Sequence, residues 1–202
     1  MKPLLSVIIP VYNQEKLVID ALKSIPESRD IEILVIDDGS TDNTFNNVLD
    51  FRESSNQNIA VLYNRKNKGV AAAVNKGYDN ATGEYVVLLG SDDQFMPEFK
   101  EVIKELDGTD IVYFDLITND RTILHLDENS KWGLCGSVKC IRKEFLGNTR
   151  CPEEKRAGED WYFFRELMKK EPKTEKYTGI VAKHYNYPRP GSLHDKHKRG
   201  EI

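Results

Sequence analysis

The sequence predicts an α/β fold: a mostly parallel central sheet flanked by helices. Two observations carry this. Short, nearly all-apolar runs rich in β-branched residues recur along the first 115 positions, as expected of strands buried on both faces. Between them lie segments with helical spacing of apolar residues, the alternation that builds parallel sheets. A third observation concerns function. The best polar clusters, Tyr12-Asn13, Asp37-Asp38 and Asp92-Asp93, each follow a predicted strand, and in such sheets ligands bind outside the carboxyl ends of the strands.

The elements follow in order. Leu4 to Val11 (LLSVIIPV) reads as the first strand, with Pro10 near its end, where a missing ladder donor does least harm. Leu17, Val18, Ala21, Leu22 and Ile25 share one face of a helix over 15–25. Ile31 to Ile36 is a second strand. It runs into Asp37-Asp38-Gly39-Ser40-Thr41-Asp42, turn chemistry followed by a helix start. Phe45, Val48 and Leu49 carry the next helical face, and Ile59 to Leu62 a third strand. Gly69 to Gly77 (GVAAAVNKG) is a small-residue helix able to pack closely on the sheet, Gly77 relieving crowding at its end. Tyr85 to Leu89 and Ile111 to Phe114 complete the predicted strands. Residues 119–156 read as polar and irregular. Glu159-Asp160 opens a helix with Trp161, Phe164, Leu167 and Met168 on its apolar face and a Glu166–Lys170 pair. From His184 the chain reads as a basic, flexible tail, with His194 and His197 best taken as solvated residues.

Composition narrows the classes. A formal net charge of −4 lacks the dense basic face that nucleic acid needs. No apolar run approaches the roughly 20 residues that span a bilayer, and the N-terminus lacks a signal-peptide layout. Cys135, Cys140 and Cys151 form no CxxC pair and fit reduced thiols, hence a cytoplasmic expectation.

Several acid-bearing motifs fail. A haloacid-type phosphatase needs an Asp at the position of Ile36. A receiver domain carries its acid pair after the first strand, not the second. The GxGxxG and GxxxxGK[ST] cradles are absent, and PVYNQEK is not the glycine-rich loop of a nucleotidyltransferase. A diphosphate here would need neutralising another way, as by a carboxylate-held divalent cation.

SVIIPVYN (6–13), VIDDGSTDNT (35–44), NKGVAAAVNKGYDNATGEYVVLL (67–89), SDDQFMP (91–97) and GEDW (158–161) resemble the GT-A fold, family-2-type glycosyltransferases. The resemblance spans residues 4–168 and, more weakly, the tail. It implies a single GT-A domain over 1–183, with a nucleotide-binding half (1–95) and an acceptor half (96–183), followed by a tail (184–202). It also implies inverting transfer of a sugar from a UDP-sugar to a hydroxyl of a glycan or lipid-linked acceptor. On its pattern Pro10, Val11, Tyr12, Asn13, Asp38, Asn67, Gly69, Asn75, Asp92 and Arg189 would bind the nucleotide-sugar. Asp92 and Asp93 would hold Mn²⁺ or Mg²⁺, both of which prefer oxygen ligands. Asp160 would be the base that deprotonates the acceptor, with Glu159 as acceptor contact or second choice. Acids also favour a first helical turn for electrostatic reasons alone. Trp161 is read as an acceptor platform or as core. In YNYPRPGSL (185–193), Arg189 and Ser192 would serve the leaving diphosphate.

The pattern departs from the family at two points. Gly90 stands where an acid is usual, and Val74 where many members place an Arg. A second reading therefore stays open: a nucleotide-sugar-binding, catalytically weak module serving a larger polysaccharide synthase. The resemblance leaves the donor sugar, the acceptor and the oligomeric state, a homodimer included, undecided. A lipid-linked acceptor would bring the basic tail to anionic headgroups at the inner membrane face.

Overall fold

The computed structural model describes residues 2–129, 138–154 and 158–187. Trp132, Cys135, Arg189, Ser192, His194 and His197 lie outside these residues.

Four parallel strands form the first half of the sheet: β1 (Leu5–Val11), β2 (Ile31–Asp37), β3 (Asn58–Tyr63) and β4 (Tyr85–Leu88). They are arranged β3-β2-β1-β4. The register sets Val11 beside Asp37 and Asp37 beside Tyr63, so these three strands end level at one edge. β1 and β2 are buried almost throughout because helices cover both faces, namely α1 (Leu17–Ser24), α2 (Thr44–Ser54) and α3 (Val70–Asn80). α3 comes closest. A Cβ on Gly77 would lie 2.3 Å from Ile8 Cγ2 and 3.2 Å from Ile36 Cδ1. Gly77 therefore answers to helix–sheet contact inside α3, not to crowding at a helix end.

Beyond β4 the sheet continues through one strand whose first half was expected, at Ile111 to Phe114, and through four that the sequence pattern did not announce. These are β5 (Gln94–Phe95), β6 (Ile111–Thr118), β7 (Ile123–Leu124), β8 (Lys139–Arg142) and β9 (Glu175–Tyr185). The order runs on from β4 as β8-β6-β9-β5, with β7 paired to β6. β8 enters antiparallel to both β4 and β6, while β6 and β9 are parallel. α4 (Phe99–Lys104), α5 (Lys143–Leu146) and α6 (Glu159–Met168) complete the described elements.

Three expectations change. The segment read as irregular contains β7, β8 and α5, whose strands are too short to show a period. The boundary drawn at residue 184 falls inside β9, where His184 pairs with both Gln94 and Ile117. On α6 the buried side chains are Phe163, Phe164 and Leu167, whereas Trp161 is 40% exposed. Glu166 pairs with Lys169, and Lys170 instead donates to the Leu146 carbonyl at 2.8 Å, which ties α6 to the end of α5.

Candidate active site

The level ends of β1, β2 and β3 are bound into one surface. The Asp38 N–H donates to the Val11 carbonyl and the Asn64 N–H to the Asp37 carbonyl, extending the ladder one residue past each strand. Asn13 then turns with φ 52° and joins the two loops. Its N–H donates to Ser40 Oγ at 3.0 Å, and its Oδ1 accepts the Thr41 N–H at 2.8 Å. Tyr12 stands 43% exposed above this edge, with Pro10 half-buried and Val11 buried beneath it.

Asp38 is 3% exposed. Its Oδ1 accepts from Asn64 Nδ2 at 2.9 Å and the Lys68 N–H at 3.0 Å, and its Oδ2 accepts the Gly69 N–H at 2.7 Å. The carboxylate thus anchors the 64–69 loop and fixes the start of α3. Asn67 adds to the same turn, its Oδ1 accepting the Gly69 N–H at 3.1 Å. Asp37 gives Oδ1 to the Ser40 N–H at 2.7 Å, while its buried Oδ2 has no hydrogen-bond partner.

Asn75 is engaged within the protein. Its amide accepts the Cys151 N–H at 2.8 Å and donates to the Cys151 carbonyl at 2.9 Å and to Glu153 at 3.1 Å. Both ends of the amide are thus spent on protein partners, clamping α3 to the segment that leads toward α6. Val74 is buried in the core, which explains an apolar residue there.

The acid pair after β4 separates into two environments. Asp92 is half-buried at the turn. Asp93 is 3% exposed and lies inside the protein. Its Oδ2 pairs with Lys183 Nζ at 2.7 Å, and its Oδ1 accepts the Asn186 N–H at 2.9 Å. Both Asp93 oxygens thus have partners on or just beyond β9, one of them a buried ammonium. Among the described residues no group of three or more His, Cys, Asp or Glu could hold a metal ion. The described side chains do not form a preformed cation cage.

Glu159 and Asp160 occupy the first turn of α6, behind the left-handed Gly158. Burial pushes the Glu159 carboxyl above its ordinary range, with the neighbouring Asp160 charge adding to the effect. Asp160 Oδ1 accepts the Trp161 N–H at 2.8 Å. Trp161 meets Tyr162 edge to face at 5.1 Å, and the Arg165 guanidinium lies 5.3 Å from its ring centroid. Such an exposed aromatic group suits the apolar face of a sugar ring.

Tyr185 relates the two acidic groups. Its phenol is pushed up to about 12, first by burial and then by the charges of Asp93, Asp92, Tyr187 and Asp160. The acidic turn after β4 and the start of α6 therefore act on one side chain. Lys183, Tyr185, Asn186 and Asn64 were missed by sequence reasoning. The alternation in KYTGIVAKHY was the available signal, interrupted at Gly179 (φ 64°).

This fold, with its polar edge across β1, β2 and β4 and an acidic helix start opposite, is that of GT-A glycosyltransferases, and the chain belongs to Glycosyl transferase family 2, whose model matches residues 6–170. It is 36% identical over 169 residues to glycosyltransferase GlyG of Streptococcus pneumoniae serotype 4, covering 81% of this chain and 53% of that protein. It is 42% identical over 101 residues to the uncharacterized glycosyltransferase RC0461 of Rickettsia conorii, covering 48% of this chain and 16% of that protein. The chain thus spans about half or less of the length of these relatives. S. aureus TarS 1–349 in complex with UDP-GlcNAc superposes with a TM-score of 0.79 at 25% identity, covering 95% of this chain and 60% of that one. The mannosyltransferase PcManGT from Pyrobaculum calidifontis, in complex with GDP-Man and Mn²⁺, superposes with a TM-score of 0.75 at 18% identity and shares the fold. It covers 100% of this chain and 62% of its own. No helix among the described residues is long and apolar enough to cross a membrane.

Proposed function

We propose that the protein transfers a sugar from a UDP-sugar to a hydroxyl of a glycan or lipid-linked acceptor, with inversion by single displacement. The observation that carries this is the sheet edge at which β1, β2 and β3 end level, where Asn13 joins the loops after β1 and β2 and the acidic turn after β4 follows the strand paired to β1, in a chain whose family model spans residues 6–170. A single displacement needs a bound donor and one base, the part read for Asp160.

In this reading the base and ribose lie over Pro10, Val11, Tyr12 and Asn13. Asp38, with Asn67 and Gly69, holds the loop that borders the uracil; a direct base contact by Asp38 would replace one of its present bonds. Arg189 is read as reaching the diphosphate from the tail. Asp92 would hold a divalent cation, Mn²⁺ or Mg²⁺, together with Asp93 if that acid gave up its present partners, and the cation would supply positive charge for the leaving UDP. UDP-GlcNAc in TarS and Mn²⁺ in PcManGT support these choices as properties of those proteins. Asp160 takes the acceptor proton, Glu159 borders the acceptor, and Trp161 stacks on it.

Incubation with a panel of UDP-sugars and Mn²⁺, with and without simple glycan acceptors, tests the reading. UDP release that rises with an acceptor is expected. No release, transfer or UDP binding with any donor rejects it.

A further inference from the structure

The first turn of α6 does not hold itself in place. Glu159 and Asp160 lie side by side there, and burial works against the Glu159 charge. Among the described residues no side chain caps the helix start at Gly158. The acids need a hold from outside the helix, and the contacts lead to α3.

Asn75, Tyr78 and Asp79 share one face of α3, spaced as helix neighbours are. All three reach the chain between residues 150 and 163. Asn75 holds the Cys151 backbone through both ends of its amide. Asp79 Oδ1 accepts from Arg150 Nε at 2.8 Å and from Nη2 at 2.7 Å. Tyr78, 2% exposed, stacks on Phe163 of α6, with centroids 5.4 Å apart and planes 23° from parallel. The Arg150 guanidinium lies 5.9 Å from the centroid of the same tyrosine ring. Phe163 is itself buried, and a helical side chain leans over the turn before it, here the turn that carries both acids. The electrostatics agree. The Tyr78 phenol is held well above its ordinary range, first by burial, then by Cys151 and Asp160, with Arg150 opposing.

The start of α3 belongs to the donor edge, where Asp38 accepts the Lys68 and Gly69 N–H groups. Its sheet-facing side is pressed onto Ile8 and Ile36 at Gly77. An element packed this closely passes position on, because there is no free volume to absorb it. One helix therefore meets the strand ends with its start and the acids of α6 with its flank.

We propose that α3 is the strut that sets the base of α6 at working distance from the donor edge, and that Tyr78 is its bearing, a positioning residue that acts on Asp160 through the stack on Phe163. This rests on the reading of Asp160 as the base. Neither ring touches nucleotide or sugar in this assignment. Breaking the stack misplaces the base, which costs rate and spares donor binding.

Turnover of the fastest donor in a UDP-sugar panel, together with UDP affinity by calorimetry, tests it on variants whose folding is checked by thermal melts. Tyr78→Leu and Phe163→Met should each lower kcat by about tenfold, with Kd for UDP and the donor KM within about twofold of wild type. Tyr78→Phe keeps the ring and should turn over like wild type. Phe163→Met replaces the ring with a side chain of similar size and carries the test if Tyr78→Leu does not fold. Glu32→Gln weakens the fold from the opposite edge and should keep wild-type kcat below its melting temperature.

Wild-type kcat in folded Tyr78→Leu or Phe163→Met overturns the inference. So does Tyr78→Phe as slow as Tyr78→Leu, which gives the role to the hydroxyl, or an equal loss in Glu32→Gln, which traces the effect to stability. A UDP affinity that falls in step with kcat moves Tyr78 to the donor site and overturns it as well. Asp160→Asn is run in parallel. If it turns over like wild type, or if wild type releases no UDP from any donor, the reading of the base fails whatever the stacked pair does, and the inference falls with it.

Discussion

The side-chain amide of Asn75 and the backbone of Cys151 form a reciprocal pair of hydrogen bonds, 2.8 and 2.9 Å long, across 76 residues of sequence. The pair is buried, so breaking it strands backbone groups away from water. Asn75→Asp keeps the shape but loses both donors and sets a carboxylate against the Cys151 carbonyl and Glu153. A loss of about 2–3 kcal/mol is expected from such unsatisfied groups, measured by urea denaturation. UDP affinity should be unchanged in the folded variant. A fall in UDP affinity with stability intact would restore Asn75 to the donor site.

Gly77→Ala should destabilise by about 1–3 kcal/mol, the usual range for overpacking. Its Cβ would lie 2.3 Å from Ile8 Cγ2, so either α3 or β1 has to move. Adding Ile8→Ala removes the obstructing methyl. Thermal melts of the single and double variants should then give a cost for the pair below the sum of the two separate costs.

Glu32 sits at the opposite edge of the sheet from the site. It accepts from Ser6 Oγ, from the Thr82 N–H and Oγ1, and from the Gly83 N–H. Burial alone would raise its carboxyl, but these bonds outweigh burial and hold it below the ordinary 4.5. The folded value is depressed, so its contribution to stability is fully present above the unfolded value and is lost as pH falls through the folded one. Glu32→Gln should therefore be markedly less stable than wild type at neutral pH, with the gap closing below the ordinary carboxylate range. A gap independent of pH would show that its charge plays no part.

Glu159 has the opposite sign. Its folded value is raised by burial, so its ionisation opposes folding, and stability declines as pH rises from the unfolded toward the folded value. Glu159→Gln should be as stable as wild type or more so at neutral pH, a cost tolerated where a site needs the carboxylate. Asp160→Asn should bind UDP normally and lose turnover by a factor of about 10²–10⁴, the range for a general base. Comparing single-turnover rates of the two variants decides which acid takes the proton.

Trp161→Ala should cost less than about 0.5 kcal/mol of stability, as surface changes do, because the ring is 40% exposed. Its effect should fall on the acceptor KM, with UDP affinity unmoved. An unchanged KM for every accepted glycan would remove Trp161 from the acceptor surface.

How much of this was legible in the sequence divides with the sheet. β1 and β2 are buried on both faces, so their apolar runs announced them, and the polar residues just past them marked the edge where they converge. β8 is four residues long and includes Lys139 and Arg142, so it carries no period to read. β9 is half-buried along most of its length and broken at Gly179, so its alternation looked like a solvated segment. Lys183 is the plainest case. A lysine is ordinarily a surface residue, and only its partner, 90 residues earlier in the chain, makes its burial intelligible. The Lys183 contact of Asp93 was hidden for the same reason: a carboxylate's neighbours in sequence say little about which side chains it meets in space.

The position of β9 also bears on the order in which the chain can fold. β1, β2 and β3 are assembled from consecutive strand–helix units whose partners lie close in sequence, and such local contacts form early, whereas β4 returns to β1 across 80 residues. β6 must wait for residues 175–185 before its β9 edge is paired, and β5 has to wait for the same strand. During synthesis the β1–β4 part of the sheet can consolidate while the rest still carries open strand edges, the condition under which nascent chains pair wrongly. Entry of β9 closes that interval and in the same event brings Lys183 to Asp93. The acidic turn is therefore among the last features of the molecule to reach its final charge state.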